Sequence, residues 1–165
     1  MPKGRAIVTE MTVSPASGLH LLELWHGIDP AQAAATLGLP LPAPGRAEAF
    51  AGGHVLRLAP RRWWIDGAAP EVPADLGALT PMGGGWTRVA MAGPDWRDVM
   101  MHSGLIDVET PAFGPGSVVI TPLCHVRSVL HCLDADTVHI HVPASTRDHC
   151  LAMWRDLGAR MAQPL

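Results

Sequence analysis

Apolar and polar positions alternate along this chain in short runs cut by glycine and proline, and the pattern predicts strands more often than helices. Residues 6–13 read as a first strand and residues 19–25 as a second apolar run. A short helix follows, with Asp29 as N-cap, Pro30 at the first helical position and Gly38 just past the end. Pro40, Pro42, Pro44 and Gly45 form a loop. Residues 52–66 carry Val55-Leu56-Arg57-Leu58 and Trp63-Trp64-Ile65, two short strands joined around Pro60. Residues 67–85 are rich in turn formers, with one helical turn expected at 74–79. A strand at 86–91 leads into Gly93-Pro94-Asp95, where Pro94 opens a helix. That helix turns Trp96, Val99 and Met100 to one face and stops by Gly104.

The C-terminal third has the clearest pattern. Residues 117–123 and 125–133 read as strands, Asp134-Ala135-Asp136 as a turn and residues 137–142 as a further strand. Pro143 and Ser145 open a last helix, with Ser145 and Asp148 at capping-box spacing. Its apolar stripe is Cys150, Met153, Trp154, Leu157 and Met161, a helical period. Strands and helices interleave without long, regular crossovers, so the predicted class is α+β with antiparallel sheet. A length of 165 residues suits one domain, or two half-domains around a shared core.

Composition narrows the function classes. Charged residues make up 16% of the chain, below the ~25% of an average soluble domain, which leaves the apolar surface expected of a chain inside an assembly. Six Trp stand against two Phe and no Tyr, and Trp serves both cores and interfaces. The net charge of −3, with no basic stripe, excludes nucleic acid. Nothing approaches the ~18 apolar residues of a membrane span, and the apolar run after Met1-Pro2-Lys3-Gly4-Arg5 is too short for a signal peptide. Cys124, Cys132 and Cys150 are odd in number and fit three free thiols in a reducing cytoplasm.

The histidines offer the sharpest candidate chemistry. If Leu133 and Thr137 pair across the turn, Cys132 faces Val138 and Leu130 faces Ile140, giving an apolar face. The other face then carries His131 opposite His139, with His141 and Arg127 nearby, at Cβ separations of ~5 Å. Two readings follow: a transition-metal site, or a polar face that is exposed or packed against a partner. No C-x-x-C or H-E-x-x-H accompanies the cluster and Arg127 repels a cation, so the partner-facing reading is preferred.

The other constellations have plainer readings. Cys124 and His125 are strand neighbours that point apart, and Cys150 falls on the apolar stripe, so neither Cys124-His125 nor His149-Cys150 forms a nucleophile pair. Gly83-Gly84-Gly85 precedes a strand, whereas a phosphate cradle needs a helix start. Asp95 and Asp98 complement a helix dipole. Trp63 and Trp64 divide into one core ring and one surface ring, and an exposed ring is an interface anchor. The partner-interface candidates are therefore Trp63, Trp64, Trp86, Arg127, His131, His139 and His141; no catalytic, cofactor-binding or metal residue is expected.

Several motifs in order carry a family resemblance. Leu58-Ala59-Pro60-Arg61-Arg62-Trp63-Trp64-Ile65 is followed by Val89-Ala90-Met91-Ala92-Gly93-Pro94. Then come Leu105-Ile106-Asp107-Val108, Phe113-Gly114-Pro115-Gly116 with Thr121, Asp136-Thr137-Val138, and a closing helix bearing Trp154 and Leu157. From about Leu56 to Leu157 the chain resembles the sarcosine oxidase gamma-subunit family. A single domain over 1–165 is implied, with 51–160 the best-matching part and 1–50 carrying little of the match. Where that family usually has Asp-Leu-Ser shortly before an Arg, this chain has Pro81-Met82-Gly83, with Trp86 at the Arg position.

The resemblance implies a fold similar to the folate-binding domain of the glycine-cleavage T-protein. It also implies a cytoplasmic heterotetramer of one-carbon metabolism, in which alpha and beta subunits hold FAD, FMN, NAD and tetrahydrofolate and a small delta subunit holds zinc. This chain would carry no cofactor and would support those partners as a non-catalytic structural subunit. The alternative is a free-standing folate or pterin binder of the same fold.

Overall fold

The computed structural model describes residues 6–162, so the expectation about Met1 to Arg5 lies outside the described residues. Within them the chain forms two sheets. The first contains β1 (Glu10–Pro15), β7 (Trp86–Ala92), β8 (Val118–Leu123), β9 (Val126–Cys132), β10 (Thr137–Pro143) and β11 (Arg160–Met161), in the order β11-β1-β7-β10-β9-β8. The second contains β2 (Leu19–Leu24), β3 (Ala47–Phe50), β4 (Gly53–Ala59), β5 (Arg62–Gly67) and β6 (Gly77–Pro81), in the order β3-β4-β5-β2-β6. Every pairing is antiparallel except β1 with β11. The predicted α+β class with antiparallel sheet is what the chain adopts.

Side-chain alternation makes each sheet two-faced, and both faces are covered. Helices α2 (Trp96–Ser103) and α3 (Arg147–Asp156) pack Trp96, Met100, Cys150 and Trp154 on the outer face of the first sheet, against Val89, Leu130 and Ile140 among others. Helix α1 (Pro30–Leu37) places Ala33 on the outer face of the second sheet with Leu22, Val55, Trp63 and Ile65. The inner faces meet each other, Leu19, Leu56 and Trp64 packing with Val118 and Val129. The order of layers is helix, sheet, sheet, helices. Trp96 and Trp154 are fully buried, and truncating either costs about 3–5 kcal/mol.

Local chemistry explains several boundaries. Asp29 accepts from the backbone N–H groups of Ala31 and Gln32, and Gly38 ends α1 in the left-handed region (φ 62°). The β9–β10 register is the expected one: Val138 pairs with Cys132, His139 with His131 and Ile140 with Leu130. Asp95 is buried at the start of α2, where its carboxylate accepts from the Val8 N–H at 2.7 Å.

Other expectations are corrected. The first strand begins at Glu10, four residues later than the pattern suggests. Of the helical turn expected at 74–79, residues 74–76 do form a turn, with the Leu76 and Gly77 N–H groups on the Pro73 carbonyl. From Gly77, however, the chain goes into β6, where pairing with β2 satisfies backbone groups that one isolated turn cannot. Strand β3 falls in a segment for which the pattern predicts no element; it sits at the edge of its sheet and pairs with β4. The last helix starts at Arg147 after a 3-10 turn at 144–146, and Ser145 does not cap it; Thr146 Oγ1 instead donates to the Pro143 carbonyl. That helix ends at Asp156, so Met161 leaves the apolar stripe and pairs in β11 with Met11. No described helix is long and apolar enough to cross a membrane.

Candidate functional site

The inner faces do not close uniformly, and they leave two openings at opposite ends of β4 and β5. One is a polar cleft of about 510 Å3 flanked by Ser14, His54, Asp66, Arg88 and His139. Its wall is two backbones in contact. A Cβ on Gly53 would lie 2.1 Å from the Asp66 carbonyl oxygen, and one on Gly67 would lie 2.0 Å from that of Gly52. Both glycines also have positive φ, 146° and 149°. No other residue fits either position.

Asp66 organises the cleft. It ends the apolar run of β5, and its carboxylate reaches across to the first sheet. Arg88 Nη1 donates to both Asp66 oxygens at 3.0 and 3.1 Å, and His141 Nε2 lies 3.2 Å from Oδ2. Burial alone would raise the Asp66 pKa. The His141 hydrogen bond and charge, with those of Arg88, outweigh burial and hold the carboxyl well below the usual carboxylate range. Asp66 is thus a fixed anion clipping one sheet to the other.

The remaining histidines stack behind that clip. His54 and His131 meet edge to face at 4.9 Å between ring centroids, and His131 meets His139 at 6.3 Å. His131 is 2% exposed. Its pKa is lowered to about 3, first by burial, then by the neighbouring His54, His139 and His141, with Asp66 opposing. His139 is lowered to about 4, by burial and then by Arg88, His141 and His54, again against Asp66. Both rings are neutral at pH 7. The Nδ1 atoms of His131, His139 and His141 have no hydrogen-bond partner among the described residues. Among the described residues, no three His, Cys, Asp or Glu side chains are grouped to hold a metal ion.

The second opening is apolar. Leu21, Leu58, Trp64, Trp86, Ile120 and Val129 line a groove of about 220 Å3, with Arg62 and Arg127 also at its lining. Trp64 and Trp86 meet edge to face at 4.7 Å. Arg62 pairs with Glu23 at 2.6 Å. Arg127 is exposed and has no acidic partner among the described residues.

The thiols are interior. Cys124 and His125 are the two central residues of the β8–β9 hairpin, with φ of 51° and 64°, not strand neighbours. Two positive φ values mark a type I′ turn, usually built from Asn and Gly. Here Cys124 N–H donates to the Ser103 carbonyl at 2.7 Å, and His149 Nε2 lies 3.0 Å from the Cys124 carbonyl. The buried side chains of Cys124 and Cys150 act on one another, which lowers the Cys124 pKa and, with burial, raises that of Cys150. Cys124, Cys132 and Cys150 are all buried.

Four of the seven interface candidates are covered by the chain itself. Trp63 and Trp64 are 0% and 4% exposed, so neither is a surface ring. Trp63 donates from Nε1 to the Pro42 carbonyl and lies under the Arg57 guanidinium, on the face opposite Trp64. His131 and His141 are buried between the sheets. The face expected to meet a partner meets the second sheet instead. Trp86 and His139 are half-buried and Arg127 is exposed, so these three keep accessible surface. Pattern reading passed over His54, Asp66 and Arg88. The signal was present in Trp63-Trp64-Ile65: an unbroken apolar run marks a strand buried on both faces, and the carboxylate that ends such a run needs a buried partner.

No family model and no curated protein matches the sequence. The fold, a two-sheet α+β unit, does match solved structures. It is similar to a chain of heterotetrameric sarcosine oxidase from Corynebacterium sp. U-96, solved in complex with pyrrole 2-carboxylate. The TM-score is 0.74 at 20% identity, covering 95% of this chain and 88% of that one. The family resemblance carried by the motifs is thus met by a likeness of fold over nearly the whole chain.

Proposed function

We propose that this protein is a non-catalytic structural and binding subunit of a heteromeric, flavin-dependent oxidase or dehydrogenase acting on N-methyl amines such as sarcosine. The observation that carries the reading is the extent of the fold match: it takes in 88% of the neighbour's chain, so this chain corresponds to nearly an entire polypeptide of an assembly. The interior supports it. Asp66 is locked in an ion network and the three thiols are buried. In this reading FAD, FMN, NAD, tetrahydrofolate and zinc belong to larger alpha and beta subunits and a small delta subunit. This chain is then the gamma subunit, built like the folate-binding domain of the glycine-cleavage T-protein. Trp86, Arg127 and His139 are the interface candidates that keep accessible surface.

The test is isolation of the untagged chain from its own cell. The expected result is a stable complex with larger flavin-bearing polypeptides that oxidises sarcosine, while the purified chain alone turns over no methylated amine. A monomer with no partner, or turnover by the lone chain, overturns the reading. The polar cleft favours one alternative, a free-standing folate or pterin binder, since about 510 Å3 lies within the ~300–1,000 Å3 of small-molecule pockets. Calorimetric titration of the lone chain with tetrahydrofolate decides it, and an absence of heat removes it.

A further inference from the structure

Between the two sheets, the described residues leave the polar cleft at one end and the groove beside Trp86 at the other. The groove is the mouth of an unfinished core. Leu21, Leu58, Trp86 and Ile120 are only half-buried there, although each packs on the fully or nearly fully buried inter-sheet cluster. Apolar atoms on six strands of the two sheets converge on a space that no side chain among the described residues occupies.

Size and charge define what fits. A cavity of ~150 Å3 lined by aliphatic and aromatic groups accepts a benzene ring, whereas small-molecule and cofactor pockets start near ~300 Å3. At about 220 Å3 the groove takes one large apolar side chain and is too small for a folate or a flavin. Its arginines set the second requirement. No acidic group among the described residues compensates the Arg127 charge at the groove, and Arg62 has a partly exposed ion pair with Glu23. A basic edge around an apolar floor matches an apolar residue flanked by carboxylates.

Resting on the reading of the chain as a subunit, we propose that this groove is a docking site for an acidic segment of a partner subunit, which inserts one Leu-, Ile- or Phe-sized side chain between the sheets beside Trp86. Trp86 and Ile120 are the apolar anchors. Arg127 holds the flanking carboxylate.

The test uses the full chain in its native complex. A photo-crosslinking benzoylphenylalanine at Arg62 is expected to label a single partner peptide with a large apolar residue next to Asp or Glu. Arg127→Glu and Ile120→Lys alter half-buried or exposed positions, so the lone chain should keep its fold and melting temperature. Each is expected to weaken partner retention at least tenfold in a titration of purified variant chain against the chain-depleted complex, and Arg127→Lys should restore most of the Arg127→Glu loss. Labelling of a second copy of this chain, labelling of a basic or wholly polar segment, or full retention by both variants overturns the proposal. If the complex assembles normally but the Arg62 probe captures nothing, docking at this groove falls while the subunit reading stands. If no complex exists, both fall.

Discussion

Acidification should destabilise this fold well above the pH at which carboxylates titrate, and His131 is the main cause. In the unfolded chain its imidazole titrates near 6.5, whereas in the fold it is held down at about 3 by burial and by His54, His139 and His141. Between those values the unfolded state binds a proton that the folded state refuses, so stability is full above pH ~6.5 and falls as pH drops below it. From pH 7 to pH 5 this one group removes about 2 kcal/mol. His139, at about 4, acts in the same direction over the same window; allowing for its partial exposure, the pair removes on the order of 3 kcal/mol. That is a large share of the ~5–15 kcal/mol that holds a domain together. Urea denaturation followed by tryptophan fluorescence should show a midpoint about 1–2 M lower at pH 5 than at pH 7. His131→Phe keeps a ring between His54 and His139 and should remove about two-thirds of that dependence. A midpoint unchanged between the two pH values, or a full dependence retained by His131→Phe, refutes the reasoning.

Three further outcomes follow from the geometry. Asp66→Asn leaves Arg88 and His141 without their anion and should cost about 3 kcal/mol, read as a urea-midpoint loss at pH 7. Because the folded Asp66 pKa is depressed, its contribution persists until pH falls below ~5, so this variant and the wild type should converge in strong acid. His125→Gly relieves a positive φ of 64° at an exposed turn position and should raise stability by about 0.5–1 kcal/mol in the same assay. Ellman's reagent should titrate almost no thiol in the native chain and three after denaturation; rapid reaction of any native thiol would contradict the buried placement of all three.

Local signals were legible where the physics is local. The Asp29–Pro30–Gly38 helix and the β9–β10 register follow from caps, proline and the pleat, and the structure contains both. Long-range layering was not. Period-two alternation assigns one face of a strand to the core and the other to solvent, and His131, His139 and His141 were placed on an outward face for that reason. A second sheet lies over that face, and nothing in the 131–141 stretch announces it. The Arg88–Asp66–His141 network joins residues 22 and 75 positions apart, a distance no local pattern spans. Strand β6 escaped for a related reason: its place is set by the edge of β2 more than by its own Gly77-Ala78-Leu79 sequence.

The path of the chain between the sheets has a consequence for synthesis. β1 belongs to the first sheet, yet its partners β7 and β11 follow about seventy and one hundred and fifty residues later, after all of the second sheet has been made. The second sheet, drawn from residues 19–81 alone, has every strand partner it needs as soon as that stretch leaves the ribosome. It should therefore gain structure during translation. β1 waits unpaired, and the closing of its non-local pairings at chain completion becomes the slow step of folding.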